Sequence, residues 1–136
     1  MWDRLEKQTI MAHVLVLDDM PDAVELIAKV LRKMGHEVSG FTREQEAIDH
    51  ARSQPVDLAI LDIKLKVMSG IEVLREIKKI RPETQVMMLT GYPTLESARE
   101  AVELGAADFS VKPIEIDELE KKVSTILNRP APRDDS

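Results

Sequence analysis

Three aspartates, a threonine and a lysine each stand directly behind a short strand-like segment of this 136-residue chain. Asp18 and Asp19 follow residues 14–17, Asp62 follows 58–61, Thr90 follows 86–89, and Lys112 follows 108–111. Gathered in one place, the three carboxylates repel one another. Two unit charges about 4 Å apart cost ~4 kcal/mol at an effective dielectric of 20. Such a cluster needs a cation, a raised pKa or both. The lysine supplies one positive charge and a hard divalent ion supplies the rest. Oxygen-only ligands with room for water favour Mg²⁺ (or Mn²⁺). A carboxylate beside such an ion, a lysine and a hydroxyl donor is equipped for phosphoryl transfer. The cations spread over the transferring oxygens, and the carboxylate can be the nucleophile.

That chemistry requires elements that bring the five residues together. Residues 14–17, 58–61 and 86–89 are apolar throughout, as strands buried on both faces of a parallel sheet are. Residues 37–41 contain Ser39 and Gly40, and 108–111 alternate, with Phe109 and Val111 on one side and Ser110 on the other. These two predict half-exposed edge strands. Helical stretches separate the strands. Val24, Ile27, Leu31 and Met34 recur at helical spacing, entered at Pro21 and stopped at Gly35. Residues 43–53 predict a polar helix with Ala47, Ile48 and Ala51 inward. Ile71, Leu74, Ile77 and Ile80 form a stripe that ends before Pro82. Residues 94–104 follow Pro93 and stop at Gly105, and Leu119, Val123, Ile126 and Leu127 mark a fifth helix.

Five β-α units in succession predict an α/β fold, a doubly wound five-stranded parallel sheet with helices on both faces. Three central and two edge strands fit the order 2-1-3-4-5, the flavodoxin-like arrangement. Ligands then bind outside the carboxyl ends of the strands, where all five polar residues fall.

Composition narrows the class. Apolar residues make up 43% and charged residues 32%, the balance of a soluble globular domain. There is no cysteine, which excludes disulfides and thiolate metal sites. The net charge of −6 disfavours direct nucleic-acid binding. No apolar run is long enough to span a bilayer and residues 1–11 lack a signal-peptide core, so a cytoplasmic location is expected. Residues 1–12 read as an N-terminal extension carrying Trp2 and Ile10 as a tail or small docking patch. Residues 13–128 read as the domain, and 129–136, with two prolines, as a tail or the start of a linker.

Residues 14–127 resemble a receiver domain of two-component response regulators. The matching segments are Val16-Leu17-Asp18-Asp19, Leu61-Asp62-Ile63, Met68-Ser69-Gly70, Leu89-Thr90-Gly91 and Val111-Lys112-Pro113. They fall in the family's order, and the run from Leu89 to Pro113 is most similar to receivers of transcriptional activators. The 2-1-3-4-5 sheet is also that of the chemotaxis receivers. The resemblance implies that Asp62 accepts a phosphoryl group from a histidine kinase or phosphotransfer protein. Asp19 and Asp62 would hold Mg²⁺ directly, Asp18 mainly through water, and the main-chain carbonyl of Lys64 would be a further ligand. Lys112 would pair with the phosphoryl oxygens, Thr90 would move to donate its hydroxyl, and Phe109 would turn inward behind it. The Lys112-Pro113 bond is expected to be cis. The switched surface would lie around the fourth helix, fifth strand and fifth helix. Its reader would be an effector protein, an output domain or a second copy of the chain. Receivers commonly carry Pro-Gly where this chain has Lys66 and Val67. Lys64 and Tyr92 occupy the two positions that tune hydrolysis in the family.

Simpler roles exist for each residue alone. Asp18 or Asp19 could cap the first helix, Asp62 a loop, and Lys112 could be solvated. Phe109 could be edge-strand packing, and the methionines, Met87 and Met88 included, core filler. His13, His36 and His50 show no ligand spacing, and the charged helix faces read as solvated. Two other functions compete with a phosphoacceptor switch, which would itself not be an enzyme on other substrates. One is a docking module that no longer phosphorylates. The other is a phosphatase with an aspartyl-phosphate intermediate, against which Met20 stands where Asp-x-Asp would need its second aspartate. No output domain fits behind residue 127, which implies a single-domain regulator or a chain cut at a linker.

Overall fold

The computed structural model describes residues 11–128. Five β-α units alternate: β1 (His13–Leu17), α1 (Pro21–Lys33), β2 (Glu37–Phe41), α2 (Glu44–Ser53), β3 (Leu58–Leu61), α3 (Gly70–Ile80), β4 (Gln85–Thr90), α4 (Leu95–Glu103), β5 (Asp108–Val111) and α5 (Ile116–Leu127). The strands form one sheet in the order β2-β1-β3-β4-β5, parallel throughout. This is the expected doubly wound arrangement. Most of the N-terminal extension and the whole C-terminal tail, with Trp2 and Ile10, lie outside the described residues.

The apolar runs divide by parity. Leu15, Leu17, Ala59, Leu61, Val86 and Met88 face α2, α3 and α4. Val14, Val16, Leu58, Ile60, Met87 and Leu89 face α1 and α5, against Ile27, Leu31, Leu119, Val123 and Ile126. Successive side chains of a strand point to opposite faces, so a strand covered on both sides must be apolar at every position. Met87 and Met88 are fully buried on opposite faces. Each large side chain buried this way contributes roughly 1.5–3 kcal/mol.

The helix ends follow local chemistry. Pro21 opens α1. Gly35 (φ 100°) closes it: its N–H bonds Arg32 O at 2.9 Å and that of His36 bonds Leu31 O at 3.2 Å. Gly105 (φ 92°) ends α4 by the same paired bonds, to Val102 O and Ala101 O. This left-handed closure suits glycine best, since it has no Cβ to clash. Thr94 is the N-cap of α4, not its first helical residue, and forms a capping box with Ser97. Arg43 likewise precedes α2 in extended conformation. The edge strand β5 departs from its apolar pattern. Ser110 is its buried residue and Val111 is 48% exposed. Ser110 is tolerated inside because its hydroxyl donates to Asp108 Oδ2.

Candidate acidic pocket at the strand ends

Register builds the pocket. Leu17 pairs with Leu61 across β1 and β3, so the residues that follow each strand emerge side by side. The Asp62 N–H donates to Leu17 O at 3.0 Å, which locks that register one residue beyond the ladder. β1 and β3 flank the point where strand order reverses, the usual ligand crevice of such sheets. Asp18, Asp19 and Asp62 each bring a carboxylate oxygen within 4.8 Å of the others. Among the described residues this is the one His/Cys/Asp/Glu group close enough to hold a metal ion. Its donors are all hard oxygens, which fit Mg²⁺ or Mn²⁺ and not a soft ion.

Lys112 reaches the cluster from the end of β5. Its Nζ donates to Asp18 Oδ2 and to Asp62 Oδ2, the latter at 3.2 Å. Asp18 and Asp62 are 2% and 5% exposed, while Asp19 is half-buried. Burial pushes the Asp18 carboxyl above its ordinary range. The Lys112 bond and the Met20 N–H pull the other way without cancelling it, and the nearby Asp62 charge adds to the rise. Burial pulls Lys112 down, but its bonds to the two aspartates and their charges prevail and hold its ammonium above the usual value. Asp18 does not cap α1: its Oδ1 accepts from Met20 N–H at 3.0 Å, and Met20 itself is the uncapped N-cap.

The other predicted residues lie on the neighbouring strand ends and loops. Thr90 is fully buried, and its Oγ1 accepts from Tyr92 N–H at 3.0 Å, leaving the hydroxyl hydrogen for another acceptor. Thr90 O accepts from Lys112 N–H at 2.8 Å, tying the ends of β4 and β5. The Lys112-Pro113 peptide is cis. Phe109 stands apart, half-buried against the α2–α4 side of the core. Lys64 sends its ammonium over the Tyr92 ring, 4.3 Å from the centroid. Val67 is 84% exposed at the tip of the loop after β3. Gly70 opens α3 so close to the acceptor candidate that a Cβ there would lie 1.8 Å from Asp62 O.

Residues 14–124 match the family model of the response regulator receiver domain. The chain belongs to that family. It is 32% identical over 114 residues to Transcriptional regulatory protein ZraR of Escherichia coli (strain K12), covering 84% of this chain and 26% of that one. It is also 32% identical to Sporulation initiation phosphotransferase F of Bacillus subtilis (strain 168), covering 84% of this chain and 92% of that one. A receiver domain protein from Methanospirillum hungatei JF-1, described as CheY-like, superposes with a TM-score of 0.85 at 28% identity, over 88% of this chain and 95% of that one. The chain thus spans about a quarter of the first transcriptional regulators it matches. It is a receiver domain of two-component signalling, a family of phosphoacceptors.

Two features of this receiver escaped the residue pattern. Glu44, the first residue of α2, is only 4% exposed, and its Oε2 accepts from Val67 N–H and from Met68 N–H, the latter at 2.8 Å. An acidic residue in a first helical turn ordinarily reads as a solvated partner of the helix dipole. Nothing in residues 43–46 signals burial. The three histidines, distant in sequence, line one cavity of about 430 Å³ with Arg32 and Glu37 among its walls. Each is engaged separately: His13 with Glu37, His36 as acceptor of the Ala12 N–H, and His50 against the Phe41 ring. No helix among the described residues is long and apolar enough to cross a membrane.

Proposed function

We propose that this receiver is a phosphorylation switch with Asp62 as the acceptor. The observation that carries the reading is the position of Asp62. Its carboxylate is buried, paired with Lys112, and sits within reach of Asp18 and Asp19. An Asp62 oxygen attacks the phosphorus of a phosphohistidine on a sensor histidine kinase or phosphotransfer protein. The new P–O bond forms as the P–N bond breaks, and the imidazole nitrogen leaves with the bonding pair. Water later attacks the phosphorus. The acyl P–O bond breaks, its pair returns to Asp62, and orthophosphate departs.

Asp18, Asp19, Asp62 and the Lys64 carbonyl would hold Mg²⁺ (or Mn²⁺), and Asp18 would act mainly through water. The ion, when bound, offsets charge on the phosphoryl oxygens. Lys112 pairs with the same oxygens, and Thr90 turns its hydroxyl toward them. Phe109 then swings into the space Thr90 leaves. The changed surface is that of α4, β5 and α5, where Val102, Val111 and Ile116 are exposed. It engages an effector protein, an output domain or a second copy of the chain. Residues 13–128 act as the switching unit, flanked by 1–12 and 129–136. The chain transforms no substrate other than its own phosphoryl donor and water, and it works in the cytoplasm, beside its kinase.

Intact-mass measurement after incubation with Mg²⁺ and acetyl phosphate tests this. The wild-type chain is expected to gain one phosphoryl group and Asp62→Asn none. An unmodified wild-type chain, where a control receiver reacts, refutes the reading.

A further inference from the structure

The loop after Asp62 is fixed at both ends but irregular between them. At its start Ile63 N–H donates to Asp62 Oδ1 at 2.6 Å, and at its end Gly70 N–H donates to Ile63 O at 2.8 Å. Ser69 caps α3 through the Ile71 N–H at 3.0 Å. Residues 64–68 form neither helix nor strand. They contain Lys66 and Val67, a pair that does not restrict the backbone as proline restricts it. Leu65 and Met68 pack on the core and Lys64 lies over the Tyr92 ring, while the loop's own N–H groups are gathered by one carboxylate. Glu44 Oε2 takes both the Val67 and the Met68 N–H.

Glu44 is a firm post. It stands at the first residue of α2, whose Ala47, Ile48 and Ala51 are buried in the core. Burial pushes its carboxyl up, yet the N–H groups of Met68, of Glu44 itself and of Val67, with the Lys66 charge, outweigh burial and hold it below the ordinary value. A charged acceptor of this kind makes stronger hydrogen bonds than a neutral one. The pinned loop and the acidic cluster are also neighbours: Asp19, Glu44, Lys66 and Val67 line one cavity of about 580 Å³.

We infer that Glu44 is a positioning residue for the metal site, holding in place the loop that carries the Lys64 carbonyl beside the acidic pocket. It does by hydrogen bonding what a proline at position 66 would do by fixing the backbone. The inference rests on the metal-dependent reading of the pocket above, and it concerns a residue outside the ligand set.

Calorimetric titration of the full chain with Mg²⁺ tests it. Loss of a group that orients metal ligands typically weakens affinity by 10–100-fold, so Glu44→Ala is expected to bind Mg²⁺ about tenfold more weakly. Glu44→Gln, which keeps a neutral acceptor oxygen, loses less, about threefold. Adding Lys66→Pro to Glu44→Ala recovers part of the affinity, which a purely structural role for Glu44 in α2 would not give. A Glu44→Ala protein that is folded by circular dichroism and binds Mg²⁺ as the wild type does overturns the inference. Should Glu44→Ala fail to fold, wild-type affinity in Glu44→Gln overturns it. Calorimetry needs no phosphorylation. A wild-type chain that binds Mg²⁺ yet takes no phosphoryl group therefore refutes the switch and leaves Glu44 its role. Normal Mg²⁺ binding by Glu44→Ala beside normal phosphorylation of the wild type does the reverse.

Discussion

The Lys64 ammonium lies 4.3 Å from the centroid of the Tyr92 ring, joining the loop after β3 to the loop after β4. The first loop begins at Asp62 and the second follows Thr90, so the contact bridges the segments behind the proposed acceptor and behind the threonine. An exposed cation–π contact is worth about 0.5–1 kcal/mol. Tyr92 is 59% exposed, and its truncation costs little packing. Tyr92→Ala is expected to shorten the phosphorylated lifetime about two- to fivefold. Loss of the phosphorylated mass with time, after removal of the donor, measures it. An unchanged decay rate would count against a role for the contact.

Burial of the Asp18 carboxylate opposes folding of the metal-free protein, and its bond to Lys112 offsets part of that cost. An acid whose folded pKa is raised binds its proton more tightly when folded. Stability therefore falls as pH rises through that range, and the cost is in place at neutral pH. Asp18→Asn removes the charge and can still accept from Met20 N–H. In Mg²⁺-free buffer at pH 7 it is expected to gain about 1 kcal/mol, or ~4 °C in Tm. Mg²⁺ then raises the Tm of the wild type more than that of the variant, which keeps Asp19 and Asp62 as ligands. Paired thermal melts with and without the ion check both halves.

The central strands were legible because β1, β3 and β4 are covered on both faces and must be apolar at every position. The acidic pocket was legible for a related reason. A parallel sheet delivers the residue behind each strand to one edge, so Asp18, Asp62, Thr90 and Lys112 could be grouped without coordinates. Glu44 could not. Its burial depends on Val67 and Met68, 23 and 24 residues away in an irregular loop. The shared cavity of His13, His36 and His50 was hidden likewise, since β1, the turn after α1, and α2 each supply one histidine. Contacts between loops leave no period in the sequence, whereas strands and helices do.

Gly70 has no room for a side chain. The 1.8 Å approach of a Cβ to Asp62 O is to backbone, which cannot swing aside. Gly70→Ala must push α3 away from the acceptor strand, at a cost of about 3 kcal/mol. Chemical denaturation is expected to show that loss, together with slower phosphorylation from the displaced Asp62. The same change at Gly91, where a Cβ meets nothing within 4 Å, shifts stability by less than about 0.5 kcal/mol. Equal effects at the two glycines would refute the steric account.

His36 ties stability to pH near neutrality. Burial holds its imidazole below the ordinary 6.5, with the Asp57 charge opposing in part. Its Nδ1 accepts the Ala12 N–H at 3.1 Å, a bond that exists only while that nitrogen is unprotonated. The unfolded chain takes up the proton first as pH falls. The stabilisation is complete above 6.5 and is lost as pH drops through the folded value. His50, also held down by burial, acts in the same direction. The neighbouring His13–Glu37 pair and Arg32 share the cavity and set its background charge. The histidine contribution to the Tm is therefore expected to fall between pH 7 and pH 5 (a span of about two units around the histidine range), against the opposite contribution of Asp18. His36→Asn, whose side-chain oxygen can accept the Ala12 N–H without titrating, flattens that slope. A slope as steep in His36→Asn as in the wild type would assign the pH dependence to other groups.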